Sequence, residues 1–270
     1  MDKLSFYYII IYIFMFIFGV CVGSFLNVCI YRLPKNESLI KRNSHCMTCG
    51  EEIKRRDLIP IISWCLLRGK CRSCGAKISP RYTVVELLNG VLWLVCALFF
   101  DIVSYPMYIV LTCLVLSALV VVFFMDWDTQ LINIWVVVFI AVMAVLEMIL
   151  CNGIFGIDTK SHIIGTFAAS IPLLIVVLVS RERAMGWGDF YLMAAAGLYL
   201  GTQGILVALG IALVTGSIGG LAQKKFSGSS KFAFGPYLSL GVAVSIFFGD
   251  VIGDWYMRIT GLYEILEITP

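Results

Sequence analysis

YPMYIVLTCLVLSALVVVFFMDWD, residues 105–128, is a long apolar segment that ends in two aspartates. Residues 105–125 carry no charged side chain, and Asp126 and Asp128 follow directly. An uncharged apolar run of about 20 residues is long enough to cross a bilayer as an α-helix. A carboxylate at the end of such a run is costly in the membrane unless it faces the protein interior or water. Asp126 is therefore a candidate functional residue.

Apolar segments of this kind recur along the whole chain. They lie at about 5–30, 84–100, 105–125, 133–151, 161–180, 189–200, 203–222 and 234–252. The sixth segment is short, so the sequence predicts an all-α polytopic membrane protein with seven or eight transmembrane helices. The composition excludes a soluble domain, because 60% of the residues are hydrophobic and only 14% are charged, with a mean hydropathy of +0.95. Small residues four positions apart, which let helices approach closely, occur at Gly19/Gly23, Gly197/Gly201 and Gly216/Gly220.

The basic residues predict the orientation of these spans. Of the 20 Lys and Arg residues, twelve fall between Arg32 and Arg81. Because Lys and Arg are retained on the inner face of a membrane, this segment is predicted to be cytoplasmic. A nucleic-acid-binding patch is disfavoured, since the segment is short and flanked by membrane spans. The first apolar run is too long for a signal-peptide core, so no cleavable signal peptide is expected. With alternating spans, Asp126 and Asp189 both reach the cytoplasmic end.

The same basic segment contains two CxxC pairs separated by 21 residues, each followed by glycine. In a cytoplasmic loop disulfides are disfavoured, and two such pairs complete a tetrahedral four-thiolate zinc site. The alternative is four free cytosolic thiols. A closed four-thiolate site leaves no open coordination position, so the zinc is predicted to be structural. Cys65 is interpreted as a packing residue, and His45 as a neighbour of the site rather than a ligand. The predicted zinc ligands are Cys46, Cys49, Cys71 and Cys74.

A second acidic motif, Gly186-Trp187-Gly188-Asp189, begins another apolar run. Two carboxylates brought together can share one proton, which is the basis of acid–base catalysis by aspartate pairs. Simpler interpretations remain for each residue. Asp189 is suited to starting a helix, and Asp126 and Asp128 are suited to a membrane interface.

Several motifs, taken together, resemble one family: the bacterial type IV prepilin peptidases (prepilin leader peptidase/N-methyltransferase), which belong to the GxGD intramembrane aspartyl proteases. Two positions depart from the usual family pattern, since Asn133 replaces a proline and Tyr191 replaces a lysine. The segments that carry the resemblance are the two CxxC pairs, Gly23–Val28 with Tyr31–Pro34, Arg68–Cys71, Ile78–Tyr82, Val85-Glu86-Leu87, Asp126–Ile132, Gly186–Asp189 and Phe234–Tyr237.

The resemblance implies an enzyme of the bacterial cytoplasmic (inner) membrane with two activities. One is the removal of the leader peptide from type IV prepilin or pseudopilin precursors, which serve pili and protein secretion. The other is N-methylation of the new N-terminus with S-adenosylmethionine as the methyl donor. By resemblance, the catalytic pair is Asp126 and Asp189, and the supporting residues are Asp128, Gly186, Gly188 and Glu86. Membrane lipid is an expected partner and nucleic acid is not.

The methyl-donor site is less defined by sequence, because no glycine-rich nucleotide loop is present. Basic residues of the loop, among them Arg32 and Arg72, could meet either the donor's carboxylate or anionic lipid head groups. Two other classes of function stay open: an ion- or proton-coupled transporter that uses the membrane acids, and a membrane-anchored zinc-ribbon adaptor. The predicted organisation is a first transmembrane helix at 1–31, a zinc-binding cytoplasmic loop at 32–83, a protease core at 84–252 and a C-terminal tail at 253–270.

Overall fold

The computed structural model describes residues 3–41, 43–155, 159–183, 185–227 and 232–261, and their regular structure is helical apart from two isolated β-bridges. Seven helices in these ranges are long and apolar enough to cross a membrane, with α6 and α7 forming one span between them. The all-α polytopic fold is confirmed. The helices are α1 Lys3–Arg32, α2 Ile62–Leu66, α3 Arg81–Phe99, α4 Pro106–Thr129, α5 Ile134–Phe155, α6 Thr159–Ala168, α7 Ser170–Ser180, α8 Trp187–Ser227 and α9 Gly235–Ile259.

The chain divides into two compact units, Met1–Val121 and Val122–Pro270. In the first unit α1 packs closely against α3, as the Gly19/Gly23 spacing predicts. A Cβ atom on Gly23 would lie 2.8 Å from the Cα atom of Glu86. Polar contacts hold this packing, because the Asn89 side-chain amide donates to the Gly19 carbonyl at 2.7 Å and accepts a hydrogen bond from Ser117 at 2.8 Å. Gly19 and Gly23 therefore allow α1 and α3 to approach each other closely.

The loop between α1 and α3 is organised by side chains that bond to its backbone. The guanidinium group of Arg32 donates to the carbonyl oxygens of Ser38 at 3.0 Å and Leu39 at 3.3 Å. The Arg72 guanidinium meets both carboxylate oxygens of Asp57, at 2.8 and 2.6 Å. This bidentate hydrogen bond lowers the pKa of Asp57 and links two distant parts of the loop.

In the second unit, α8 is broken by a kink at Gly201, where the backbone has a positive φ that glycine alone adopts readily (φ 72°, ψ −178°). Asp189, at the start of α8, interacts electrostatically with Asp126, which accepts a hydrogen bond from Gly235. The neighbouring Phe234 packs on Gly216. A straight helix would separate residues 189 and 216 by about 40 Å, so the two parts of α8 must bend sharply toward each other at Gly201. They match the separate predicted spans 189–200 and 203–222.

The break also brings α6 against α8 with almost no side chains between them. A Cβ atom on Gly165 would lie 2.6 Å from the Gly201 carbonyl carbon, and one on Gly197 would collide with the Gly165 carbonyl oxygen. The Thr202 backbone N–H donates to the Ser161 hydroxyl at 3.1 Å beside the break. The predicted small-residue contact at Gly197/Gly201 is thus confirmed, with Gly165 as its partner.

Candidate aspartate pair and zinc centre

Asp126 lies in the last turn of α4 and is only 5% exposed. Its Oδ2 atom accepts a hydrogen bond of 2.9 Å from the backbone N–H of Gly235. Gly235 begins α9 and is followed by Pro236 in its first turn. The N-terminus of a helix presents free N–H groups and a positive partial charge, so this contact favours a carboxylate. The structure thereby fixes one oxygen of Asp126 and excludes it from bulk water.

Asp189 lies in the first turn of α8 and is 8% exposed. Its Oδ2 atom accepts a 3.3 Å hydrogen bond from the backbone N–H of Gly186, the residue before the helix. An acid that accepts a hydrogen bond from the residue before the helix stabilises the helix start. Asp189 therefore also has the helix-starting role that the simpler interpretation predicts. Position 188 leaves no room for a side chain, because a Cβ atom on Gly188 would lie 2.8 Å from the Cβ atom of Ile132. Gly186 has no such neighbour.

The second unit brings Asp126 and Asp189 together as an interacting pair. The two acidic motifs are 63 positions apart in the chain, yet both carboxylates are buried. Within the described ranges, neither Asp126 nor Asp189 forms an ion pair with a lysine or arginine. Two such acids in a dry environment cannot both be charged without a large cost, which favours one shared proton.

Asp128 differs from this pair in its exposure. It lies at the exposed end of α4, two residues beyond Asp126. Tyr191 stands where the family usually has a lysine. Its ring stacks on that of Trp187, with the ring centroids 6.2 Å apart. The Trp187 indole N–H donates to Glu182 at 2.6 Å. The position where the family usually has a lysine therefore presents an exposed aromatic surface next to Trp187.

Sequence reasoning missed one member of this site, the backbone N–H of Gly235. The segment Phe234–Tyr237 carried the family resemblance but was given no role. A glycine followed by proline does indicate a helix start, and that signal was available. A Cβ atom on Gly235 would lie 2.6 Å from Asp126 Oδ2, so glycine alone permits this approach.

The four predicted zinc ligands form one cluster, with their sulfur atoms within 4.8 Å of one another. The Sγ atoms of Cys46 and Cys74 are 3.8 Å apart. Tetrahedral zinc with Zn–S bonds of about 2.3 Å requires sulfur atoms about 3.8 Å apart, so the arrangement fits the metal. The backbone N–H groups of Cys49 and Thr48 lower the pKa of the Cys46 thiol, whereas contacts with the Cys74 and Cys46 sulfur atoms raise the pKa of the Cys49 thiol.

Both CxxC turns have the same backbone design. In the first, the Cys46 N–H bonds to the Glu51 carbonyl and the Gly50 N–H returns to Cys46; in the second, Cys71 and Gly75 make the corresponding bonds. Gly50 and Gly75 adopt φ of +73° and +72°, where glycine is favoured. The repeated geometry places two sulfur atoms from each turn on one centre.

The two neighbouring candidates fall outside this centre. His45 is not part of the four-sulfur cluster, and its Nδ1 atom lies 3.3 Å from the Asn43 carbonyl oxygen. Its interpretation as a bystander is confirmed. Cys65 is exposed on α2, so the interpretation of this residue as a packing residue is wrong: α2 turns that side toward solvent.

Glu86 lies in α3 beside a cavity of about 670 Å³ formed by residues of the first unit. It is 8% exposed, and its Oε2 atom accepts a 2.8 Å hydrogen bond from the Ile61 backbone N–H. Arg32 and Arg72 also line this cavity. Both guanidinium groups are already engaged, Arg32 with loop carbonyls and Arg72 with Asp57.

Comparison with known proteins identifies the family. Residues 17–100 match the profile of the bacterial peptidase A24 N-terminal domain, and residues 113–221 match that of the type IV leader peptidase family. The chain belongs to the type IV leader peptidase family. The first match contains the cysteine cluster and Glu86, and the second contains Asp126 and Asp189.

Individual relatives span most of the chain. A prepilin leader peptidase/N-methyltransferase of Neisseria gonorrhoeae is 33% identical over 83% of this chain and 86% of its own length. The protein of the same name from Aeromonas salmonicida is 30% identical over 90% of this chain and 92% of its own length. One from Myxococcus xanthus is 33% identical over 77% of this chain, a match that spans 62% of that protein. No solved structure matches.

Substitution of Gly235 tests the hydrogen bond between its backbone N–H and Asp126 in this member of the leader peptidase family. In Gly235→Ala the new methyl group would meet Asp126 Oδ2 at 2.6 Å and push the carboxylate out of place. Displacement of a catalytic group by about 1 Å costs on the order of 10²-fold in rate, and we expect a loss of that size in peptide cleavage by purified protein. Gly210→Ala is the control, because its Cβ would meet nothing within 4 Å. Equal rates for both variants would contradict a role for this contact.

Proposed function

We propose that this protein is an aspartyl endopeptidase that removes the leader peptide from type IV prepilin-like precursors, and that it methylates the new N-terminus. Family membership supports both activities, because the relatives carry the name prepilin leader peptidase/N-methyltransferase. The observation that carries the peptidase assignment is the buried, interacting pair of Asp126 and Asp189.

The geometry supports a hydrolytic mechanism without a covalent intermediate. One carboxyl group holds the shared proton and donates it to the oxygen of the scissile carbonyl, while the ionised one accepts a proton from the attacking water. The resulting tetrahedral intermediate collapses as the peptide nitrogen is protonated and the C–N bond breaks. The Gly235 N–H keeps Asp126 in place throughout. The pair titrates as a unit, and we assign neither role to one residue.

The proposed site lies at the cytoplasmic face of the inner membrane. The basic segment between Arg32 and Arg81 supports this orientation through the positive-inside rule. Precursors of this class have a basic leader followed by an apolar helix, so their scissile bond is expected at the inner interface. Asp126 and Asp189 lie at the ends of apolar helices, where such a bond would arrive.

Two further groups belong to the proposal. Zinc held by the four clustered thiols would stabilise the loop, because a structural zinc site contributes folding free energy directly. S-adenosylmethionine is the proposed donor, and it supplies an electrophilic methyl group on a sulfonium. Prepilins or pseudopilins and surrounding lipid are the proposed partners.

The test is a reaction with purified protein in lipid vesicles. The substrate is a peptide with a basic leader and a Gly-Phe junction before an apolar helix, incubated with and without S-adenosylmethionine. Mass spectrometry should detect cleavage after the glycine in both samples and a gain of one methyl group only with the donor. Absence of cleavage by wild-type protein would overturn the proposed function.

A further inference from the structure

We propose that Ser161 and His162 of α6 are positioning residues for the peptidase reaction, because they hold the kink in α8 and thereby set the position of Asp189 relative to Asp126. This inference rests on the proposed function. It assigns a role in the reaction to two residues that lie outside both acidic motifs. Ser161 and His162 together are called the α6 clip.

The kink at Gly201 removes a backbone hydrogen bond that a straight helix would contain. In a regular α-helix the Thr202 N–H donates to the Leu198 carbonyl, four residues earlier in the chain. The non-helical φ and ψ of Gly201 lie between these two groups and turn them away from each other. Both groups then need other partners, because an unpaired backbone group is costly in the apolar interior of a membrane protein.

The α6 clip supplies a partner for each of the two groups. The Ser161 hydroxyl accepts the Thr202 N–H at 3.1 Å, and Nδ1 of His162 lies 2.9 Å from the Leu198 carbonyl oxygen. A carbonyl oxygen can only accept, so Nδ1 of His162 carries the hydrogen. The Thr202 hydroxyl also donates to the Ser161 carbonyl at 2.8 Å. The clip therefore bonds to α8 on both sides of the kink.

Close packing lets these short side chains reach the backbone of α8. A Cβ atom on Gly201 would lie 3.2 Å from Ser161 Oγ and 3.5 Å from Nε2 of His162. Gly165, one turn further along α6, meets the Gly201 carbonyl group directly. Hydrogen bonds made over so short a reach leave little freedom to the angle between the two parts of α8.

The two parts of α8 hold different members of the aspartate pair. The part before the kink carries Asp189. The part after the kink is fixed to α9, where the Ser245 hydroxyl donates to the Gly204 carbonyl at 2.6 Å. α9 begins at Gly235, whose N–H bonds to Asp126. The angle at the kink therefore sets where Asp189 lies relative to Asp126.

The length of the first part of α8 amplifies a small change in this angle. Asp189 precedes Gly201 by twelve residues, which is about 18 Å along a helix. A rotation of about 5° at the kink would move Asp189 by about 1.5 Å over that length. Because displacement of a catalytic group by about 1 Å costs on the order of 10²-fold in rate, loss of the clip should slow the chemical step.

The first experiment replaces the hydrogen-bond donor of His162. His162→Leu removes the donor, whereas His162→Asn keeps an N–H as many bonds from the backbone as Nδ1. We expect kcat for leader cleavage by His162→Leu, per folded molecule, to fall by at least about tenfold. KM should stay within about threefold, as for a contact that acts on the transition state. His162→Asn should recover kcat to within about threefold of wild type.

The recovery distinguishes positioning from a role in folding alone. A residue needed only for folding would lower the yield of folded protein, measured by gel filtration, and leave kcat per folded molecule unchanged. If His162→Leu does not fold, the comparison is between His162→Asn and His162→Gln, both of which are polar. The amide of glutamine lies one bond further out, so we expect its kcat to be at least about tenfold below that of His162→Asn.

The second experiment tests whether both clip residues act through the same angle. Ser161→Ala removes the acceptor of the Thr202 N–H and should also lower kcat. The double variant with His162→Leu should lose less than the product of the two single losses, because the first substitution already frees the kink. Ser217→Ala is the matched control on α8, since its hydroxyl bonds to its own helix at 2.6 Å, and its kcat should equal that of wild type.

The outcomes separate this inference from the proposed function. Wild-type kcat in both His162→Leu and Ser161→Ala would overturn the positioning role and leave the peptidase assignment standing. A loss in His162→Leu that His162→Asn does not recover would also overturn it, as would equal kcat in the asparagine and glutamine variants. Wild-type protein that does not cleave the peptide would overturn the proposed function itself.

Discussion

We expect leader cleavage to be abolished by Asp126→Asn and also by Asp189→Asn. Each substitution removes one of the two proton-transfer groups while keeping the side chain's size. General acid–base catalysis contributes about 10²–10⁴-fold per group, so we expect the cleavage rate to fall by at least about 10³-fold. The measurement is cleavage of a prepilin peptide by variants that elute as folded protein in detergent.

Asp128→Asn is the matched control for this pair. Its carboxylate is exposed at the end of the same helix, so we expect measurable cleavage to remain. The catalytic variants should still methylate a peptide that begins at the mature residue, because the loop proposed to bind the methyl donor belongs to the first unit and the pair to the second. Wild-type cleavage by Asp126→Asn would show that the pair is not the catalytic centre.

Replacement of one zinc ligand has the second large expected effect. Wild-type protein should contain one zinc per chain, and Cys71→Ser should contain far less. Structural zinc supplies on the order of 10–16 kcal/mol of binding free energy in small zinc-dependent folds, so the loop should become sensitive to protease. Methyl transfer should decrease with it, because the loop that these cysteines hold together is the segment in which the methyl donor is proposed to bind. Elemental analysis, limited proteolysis and methyl transfer are the three measurements.

Cys65→Ser provides the control, since this exposed cysteine lies outside the cluster. It should keep its zinc, its protease resistance and both activities. A wild-type protein purified under reducing conditions without any zinc would refute the metal assignment. Equal zinc content in Cys71→Ser and wild type would do the same.

The sequence was most informative where a property depends on neighbouring residues. Membrane helices follow from long uncharged runs, because a buried helix satisfies its own backbone hydrogen bonds and needs only apolar side chains. The two CxxC pairs likewise indicated a zinc site, since each turn positions two sulfur atoms by local geometry. The structure confirmed the helical fold and brought the four predicted sulfur atoms together. The roles proposed for Asp126 and Asp189 remain predictions, although the structure shows that these two residues interact.

Contacts between distant parts of the chain depended on the tertiary structure. The Gly235 N–H that bonds to Asp126 comes from a residue 109 positions away, and the Ile61 N–H that orients Glu86 comes from one 25 positions away. Any residue can supply a backbone N–H, so the sequence carries no specific signal for which one will be the partner. The kink at Gly201 is of the same kind, because a glycine within an apolar run is compatible with a straight helix and with a break. The sequence by itself indicated the apolar spans, the four cysteines that cluster and the two acids that are buried. Only packing decided which backbone groups meet those acids and where the helix bends, because these depend on the contacts of the whole folded unit.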